Sequence, residues 1–429
     1  MRKFRSARFG AACALALGVA AYGGISISSS AASTPTATAS SVSAASLKFA
    51  LSYTGGKAGK ANPKLSPIRV GFTTNNGGVP SFPENIAAAK AFTSFINNNL
   101  DGVGGHPIKL DSCYIQTEED GLKCGSQFRA NKDVVVNQAL LVVGNASLYS
   151  TISPKIPVLI GTPSASQDYS TKNVYNYSGG GPAVLYAMAA DAKMHLNATS
   201  GALISVNNAG GTASMTTYAE PDMKKLGLTF KPTVYYQESP TTPQIVSAVQ
   251  ASGAASASFI YFDPSAPTEC LSLYQALKEL GLNTPVESTP ICNAASFVDA
   301  PGVTLSNWRL WGFSQNPRVS GNVQVNAYNQ IMAAGGQAQY EAVGFATSVA
   351  EDLLTLDKFF NKLGASKINP TSMSKAISTF TGPAFLVPGP ENCTTPPFPA
   401  SPTVCSRVSV GSVVTNGVWK TLGGLTFNG

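Results

Sequence analysis

One pattern constrains this chain more than any other. A short apolar run empties into small polar residues, a helical stretch follows, and the sequence repeats. Val142-Val143 runs into Gly144-Asn145-Ala146-Ser147, and Val158-Leu159-Ile160 runs into Gly161-Thr162-Pro163-Ser164. Strands covered on both faces read as continuous apolar runs of this kind. Helices between them imply parallel pairing, because a parallel pair needs a long crossover. The pattern therefore predicts an α/β fold with mostly parallel sheets.

Strands are expected at 68–72, 108–114, 139–143, 157–160, 202–206, 229–235 and 258–262. Helices are expected from Pro83 onward and over 121–138, 182–195, 218–226, 244–252 and 270–280. Pro83 suits a first helical position, where its missing N–H costs nothing. Gly102, Gly227 and Gly281 stand where helices stop. Two α/β halves of similar order follow one another, and 429 residues exceed one ordinary core, so two lobes are expected.

Residues 1–32 read as an export signal. Arg2, Lys3, Arg5 and Arg8 precede an apolar stretch at 11–22, and Ser30-Ala31-Ala32 and Ala37-Thr38-Ala39 offer small residues for cleavage. The apolar stretch is short for a membrane span. Cys13 precedes it, where a lipid-attachment cysteine would follow it. Loss of the four cations of the signal takes the net charge from +7 to +3, so the basicity belongs to targeting and implies no nucleic-acid partner. Residues 33–66, rich in Ser, Ala, Thr, Gly and Lys, read as a flexible linker.

Without Cys13 six cysteines remain, in near-neighbour pairs: Cys113 with Cys124, Cys270 with Cys292, Cys393 with Cys405. Six cysteines leave many pairings open, and local pairing is the simplest, each bond stapling one loop. A zinc site is the alternative. No C-x-x-C occurs, however, and only His106 and His195 are available, so no metal and no cofactor are expected.

The expected strand ends carry Thr74, Asn75, Asn145, Ser147, Thr162, Ser164, Asn207, Asn208, Asp263 and Ser265. In open parallel sheets ligands bind beyond the carboxyl ends of the strands. These side chains and the backbone N–H groups beside them can hold a carboxylate or an amide. Ser, Thr and Asn also make turns and helix caps, so each alone is weak; their recurrence at successive strand ends argues for a site. No G-x-S-x-G, P-loop, H-E-x-x-H or G-x-G-x-x-G occurs. His106 lies in a Gly-Gly-His-Pro turn, His195 at a helix end, and Glu118-Glu119-Asp120 reads as a solvated loop or helix start. Nucleophilic catalysis needs a base beside its nucleophile. None is legible, so a binding protein is expected and not an enzyme.

Several stretches together resemble a family. "IRVGFTTNNGG", "AFTSFINNNLDGVGGHPIKLDSCYI", "ALLVVGNAS", "IPVLIGTPSAS", "YQALKELGLNTPV" and "YEAVGFATSVAEDLL" occur in the order and spacing of type I extracellular solute-binding proteins of ABC importers, the group that includes leucine/isoleucine/valine and amide binders. The likeness spans about 68–365. It implies two Rossmann-like lobes joined by a three-strand hinge, the first at 67–177 and 312–365, the second at 178–311 and 366–429. It places the solute's carboxylate and ammonium at Asn145-Ala146-Ser147 and Thr162-Pro163-Ser164. Asn207-Asn208 stands where a Tyr-Gly pair is common in relatives, and Asp263 lies near the acidic position. Tyr149, Phe262 and Trp311 are candidate cleft aromatics. The Pro-rich tail, with Cys393 and Cys405, reads as a stapled surface hairpin or a docking surface.

The resemblance thus implies an exported, extracellular or envelope-associated monomer. It would capture a small polar solute, an amino acid, an amide or a related compound, by lobe closure for an ABC-transporter permease. A ligand-sensing receptor domain and a secreted enzyme on the same scaffold are the alternatives.

Overall fold

The computed structural model describes residues 41–78, 81–343, 345–399 and 401–427. The expected export signal and the start of the expected linker lie outside the described residues. The rest of that linker is structured. Helix α1 (Ala44–Thr54) opens on Ser43, whose Oγ accepts from the Ser46 N–H, and ends at Gly55 in the left-handed region. Leu47, Ala50, Leu51 and Thr54 recur at helical spacing. Ala50 is fully buried, and Leu47 and Leu51 pack half-buried against the first-lobe core. Small residues that read as a linker are here a helix, because Ala favours helix and one face finds a partner.

The first sheet follows in chain order: β1 (Ile68–Asn75), α2 (Pro83–Asn99), β2 (Ile108–Ile115), α3 (Glu118–Asn131), β3 (Val136–Gln138), α4 (Asn145–Ile152), β4 (Val158–Ile160), α5 (Ser166–Ser170) and β5 (Val174–Tyr175). All its pairings are parallel, in the order β2-β1-β3-β4-β5. The acidic run Glu118-Glu119-Asp120 is the first turn of α3, where Thr117 and Asp120 cap each other and the charges suit the helix dipole.

One strand is displaced from expectation. Residues 121–138 are not one helix, and 139–143 are not a strand. Lys132 turns left-handed at φ 60° and ends α3. The β-branched run that follows leads into β3, with Val136 beside Gly71. Residues 139–143 then lie beyond the sheet as a loop, and Asn145 begins α4.

The second sheet gathers α6 (Gly180–His195), β6 (Ser200–Val206), α7 (Ala209–Ala213), α8 (Glu220–Lys225), β7 (Thr229–Phe230), β8 (Val234–Tyr236), α9 (Thr242–Ser252), β9 (Phe259–Asp263), α10 (Pro267–Glu279), β10 (Val286–Ser288), α11 (Ala295–Val298) and β11 (Trp308–Gly312). A π-helical turn, Ser214–Ala219, joins α7 to α8. The expected strand at 229–235 is two short ones, because Pro232 between them has no N–H to pair.

The chain then returns to the first lobe. Helices α12 (Val323–Ala334) and α13 (Ala346–Leu363) carry Tyr328, Met332, Leu353, Leu354 and Phe360 into its core. Helix α14 (Pro370–Ser378) adds Met373 and Ile377, and residues 384–387 and Cys405 join the same core. The segment from 366 to 405 therefore packs on the first lobe, not the second. The last crossing comes just before β12 (Val408–Thr415), which with β13 (Val418–Thr426) closes the second sheet as an antiparallel edge. This crossing runs beside the earlier one: the Asn176 N–H donates to Thr403 O at 2.8 Å, and the Cys405 N–H to Asn176 O at 2.8 Å.

The cysteines pair locally. Cys113–Cys124 ties β2 to α3, Cys270–Cys292 ties α10 to the turn after β10, and Cys393–Cys405 closes the Pro-rich loop. Among the described residues no helix is long and apolar enough to cross a membrane.

Candidate functional site

Most of the expected site residues lie at or near strand ends, but many are spent holding loops. Asn75, almost wholly buried, donates to Ile115 O at 2.8 Å and accepts from the Val142 N–H at 2.6 Å, so it ties the ends of β1 and β2 to the loop after β3. Thr74 donates to Leu140 O and accepts from Asn85. Asn145 is buried and donates to Leu141 O and to Asp168 Oδ1. Ser147 points to α3, where its Oγ donates to Glu118. Asn145 and Ser147 thus stand in the first turn of α4. With β3 ending at Gln138, the loop beyond the sheet is Ala139-Leu140-Leu141-Val142-Val143, and these two side chains belong to α4.

Asp168 organises this end of the first lobe. Its Oδ1 accepts from Gln138, Asn145 and Tyr149, and its Oδ2 accepts from the Ser164 and Ala165 N–H groups at 2.8 and 3.0 Å. Ser164 also donates through Oγ to Leu141 O, which joins the loops after β3 and β4. Sequence reasoning missed Asp168. Its signal was an acid at the third helical position after Ser164-Ala165, where such a residue reaches back to cap. Thr162 is placed differently: its Oγ1 donates to Ser348 Oγ in the first turn of α13 at 3.0 Å. The neighbouring pair, Ser314 and Thr347, meets at 2.8 Å.

In the second lobe Asn207 is exposed after β6. Asn208 caps α7 through the Gly211 N–H and donates to Glu238 Oε1 at 2.7 Å. Ser265 bonds Glu269 through both N–H and Oγ, at the start of α10. Asp263 ends β9. Burial pushes its carboxyl up to about 7, with hydrogen bonds from Ser214 and Ser205 opposing the rise.

Aromatic residues line the hinge end, although not those expected. Tyr149, Phe262 and Trp311 are core: Tyr149 donates to Asp168, Phe262 stacks on Tyr236, and Trp311 donates to Glu287 at 3.1 Å. The half-exposed rings are Phe82 at the start of α2, Phe313 after β11 and Phe345 at the start of α13. Phe345 meets Phe82 at 6.1 Å and Phe313 at 6.3 Å between centroids. Phe313, Phe345, Ser314 and Ser348 also bound a cavity of about 30 Å³, room for roughly one water. Tyr169 bridges the lobes at the first crossing. Its Oη donates to Pro163 O and accepts from the Gly181 N–H, both at 3.2 Å.

The arrangement offers hydroxyls, backbone amides, ring faces and one carboxyl. The histidines lie elsewhere: His106 Nδ1 is 2.8 Å from Ser66 O, and His195 pairs with Asp191 of α6. Among the described residues no cluster of His, Cys, Asp and Glu side chains is placed to hold a metal ion.

This two-sheet, three-crossing architecture is that of the type I substrate-binding proteins. A substrate-binding protein of an ABC transporter from Sphaerobacter thermophilus superposes with a TM-score of 0.67 at 13% identity, over 84% of this chain and 98% of that one. A leucine-binding protein from Thermotoga maritima gives 0.63 at 12%, over 84% and 99%. A fatty acid ABC transporter substrate-binding protein from Thermomonospora curvata gives 0.65 at 10%, over 87% and 96%. No protein-family profile matches the chain, and no curated protein sequence does. At such identities the likeness establishes the fold: the chain has the two-lobed type I fold of ABC-transporter substrate-binding proteins.

Proposed function

We propose that the chain is an exported substrate-binding protein that captures a small solute between its lobes and presents it, as a monomer, to the permease of an ABC importer. The observation that carries this reading is the pair of mostly parallel sheets joined by three crossings, with Thr162, Ser314, Ser348, Phe313 and Phe345 gathered where a crossing meets the strand ends. Solute docks on one lobe. Closure then excludes water and adds the other lobe's hydrogen bonds, so the solute stabilises the closed state by its differential affinity. The apolar loop at 139–143 and the phenylalanine cluster favour a solute that pairs an apolar or aryl body with a polar head, such as an apolar amino acid or its amide.

A ligand that binds only the folded protein stabilises it by about 2.7 kcal/mol at a hundred times its Kd. Melting temperatures measured against apolar and aromatic amino acids, their amides and aryl acids should therefore rise for at least one class. The same solute should weaken at least tenfold in Phe345→Ala, by the loss of a ring contact of about 1 kcal/mol and its buried area. No shift with any class at millimolar concentration counts against capture.

A further inference from the structure

We propose a second ligand site, on the flank of the first lobe, for an amphipathic anion: an acidic head group on an aliphatic or aryl body. A cavity of about 600 Å³ runs between α2 and β2. It follows β2 from Pro107, next to the first residue of the strand, to Tyr114, near its last. Its volume falls within the range of small-molecule pockets, about 300–1,000 Å³.

The lining has two parts. Phe72, Ile86, Ala89, Leu110 and Tyr114 supply an apolar floor. Lys60 and Lys90 stand at the rim, both exposed, with no ion-pair partner among the described residues, and no carboxylate lines the cavity. Two unpaired ammonium groups over an apolar floor complement a ligand with one anionic end, and a charge-assisted contact at such a rim fixes its orientation. The cavity shares no residue with the hinge cluster, so this inference stands whether or not the chain serves a permease.

The test uses 1-anilinonaphthalene-8-sulfonate, an aryl anion, with the purified chain. Expected are saturable one-site fluorescence, competition by decanoate, and no competition by decyltrimethylammonium. Lys60→Glu with Lys90→Glu, both at exposed positions, should weaken the dye by about tenfold or more at unchanged melting temperature. Ser112→Trp, at an exposed strand position in the lining, should block it. Non-saturable binding, equal competition by cation and anion, or dye affinity untouched by both sets of variants would each overturn the proposal. Co-sedimentation with phosphatidylglycerol vesicles that the lysine variants abolish, without decanoate competition, would overturn it in favour of a lipid surface.

Discussion

Tyr149 Oη donates to Asp168 Oδ1 at 2.6 Å, with both residues buried. That contact is one of five that converge on a single carboxylate from β3, α4 and the loop after β4. Asp168→Ala leaves those donors unpaired in a dry site. The expected loss is about 3 kcal/mol or more, since several buried donors each lose a partner at roughly 1–3 kcal/mol. Because Asp168 sets the Ser164 backbone, solute affinity should fall together with stability. Chemical denaturation and a solute titration check this. Tyr149→Phe removes one bond only and should cost about 1 kcal/mol.

Several buried carboxyls make the protein acid-favouring. Burial raises Asp263 to about 7, Glu84 to about 7, Glu391 to about 7 and Asp222 to about 6. Their unfolded values are about 4. The folded chain therefore holds more protons, and the stability these groups contribute is full below about pH 4 and is lost as pH rises through about 7. Asp191 is shifted the other way. Burial would raise it, but bonds from Arg309 outweigh that, and its window lies on the acid side of the usual carboxylate value. Melting temperature should thus fall between about pH 5 and about pH 8. Asp263→Asn should raise it by roughly 1–3 kcal/mol equivalent near pH 8 and do little near pH 5. An increase in stability over that interval would contradict the burial argument.

Arg309 lies between two acids on the buried face of the second sheet. Its Nη2 donates to Asp191 Oδ1 at 2.9 Å, and its Nε lies 3.1 Å from Glu287 Oε1. Burial, then repulsion from Asp191, holds the Glu287 carboxyl well above its usual range. Arg309→Met leaves the buried Asp191 with the half-exposed His195 as its one remaining cationic partner and should cost about 3–5 kcal/mol. Adding Asp191→Leu should recover most of that loss, because an apolar set of similar volume replaces an ion pair well. Urea melts of the single and double variants measure both steps; a double variant no better than the single would refute the stranded-charge account.

The sequence made parts of this fold legible and hid others for physical reasons. The strands at β4, β6 and β9 are apolar runs cut off by polar residues, and β1 and β2 interleave apolar with polar residues, so all five are legible. Strand β3 was not, because Val134-Val135-Val136 and Leu140-Leu141-Val142-Val143 are equally apolar, and only pairing with β1 selects the first. That shift of a few residues places Asn145 and Ser147 in the first turn of α4 instead of a loop directly after the strand. Ser348 and Phe345 were invisible for another reason: their roles depend on a helix that comes back to the first lobe from far along the chain. The packing of 366–405 on the first lobe was likewise hidden, since Met373 and Ile377 reveal a buried face but not which core receives it.

Helix α1 supplies the last prediction. Its Tyr53 packs against Phe385 at 6.0 Å between centroids, holds Thr355 Oγ1 at 2.9 Å, and lies under Lys358 Nζ at 4.3 Å from its ring. A flexible linker would make none of these contacts, and substitutions in it would stay within about 0.5 kcal/mol of neutral. A packed helix behaves otherwise. Tyr53→Phe should cost about 1 kcal/mol for the hydroxyl bond, and Tyr53→Ala about 3 kcal/mol for the ring. Ala50→Asp should be worse than either, because it buries a charge with no partner against the first core. Equilibrium unfolding of the three variants ranks them. A flat ranking would mean that the first-lobe core holds without α1, and that residues 44–54 are the linker their composition suggests.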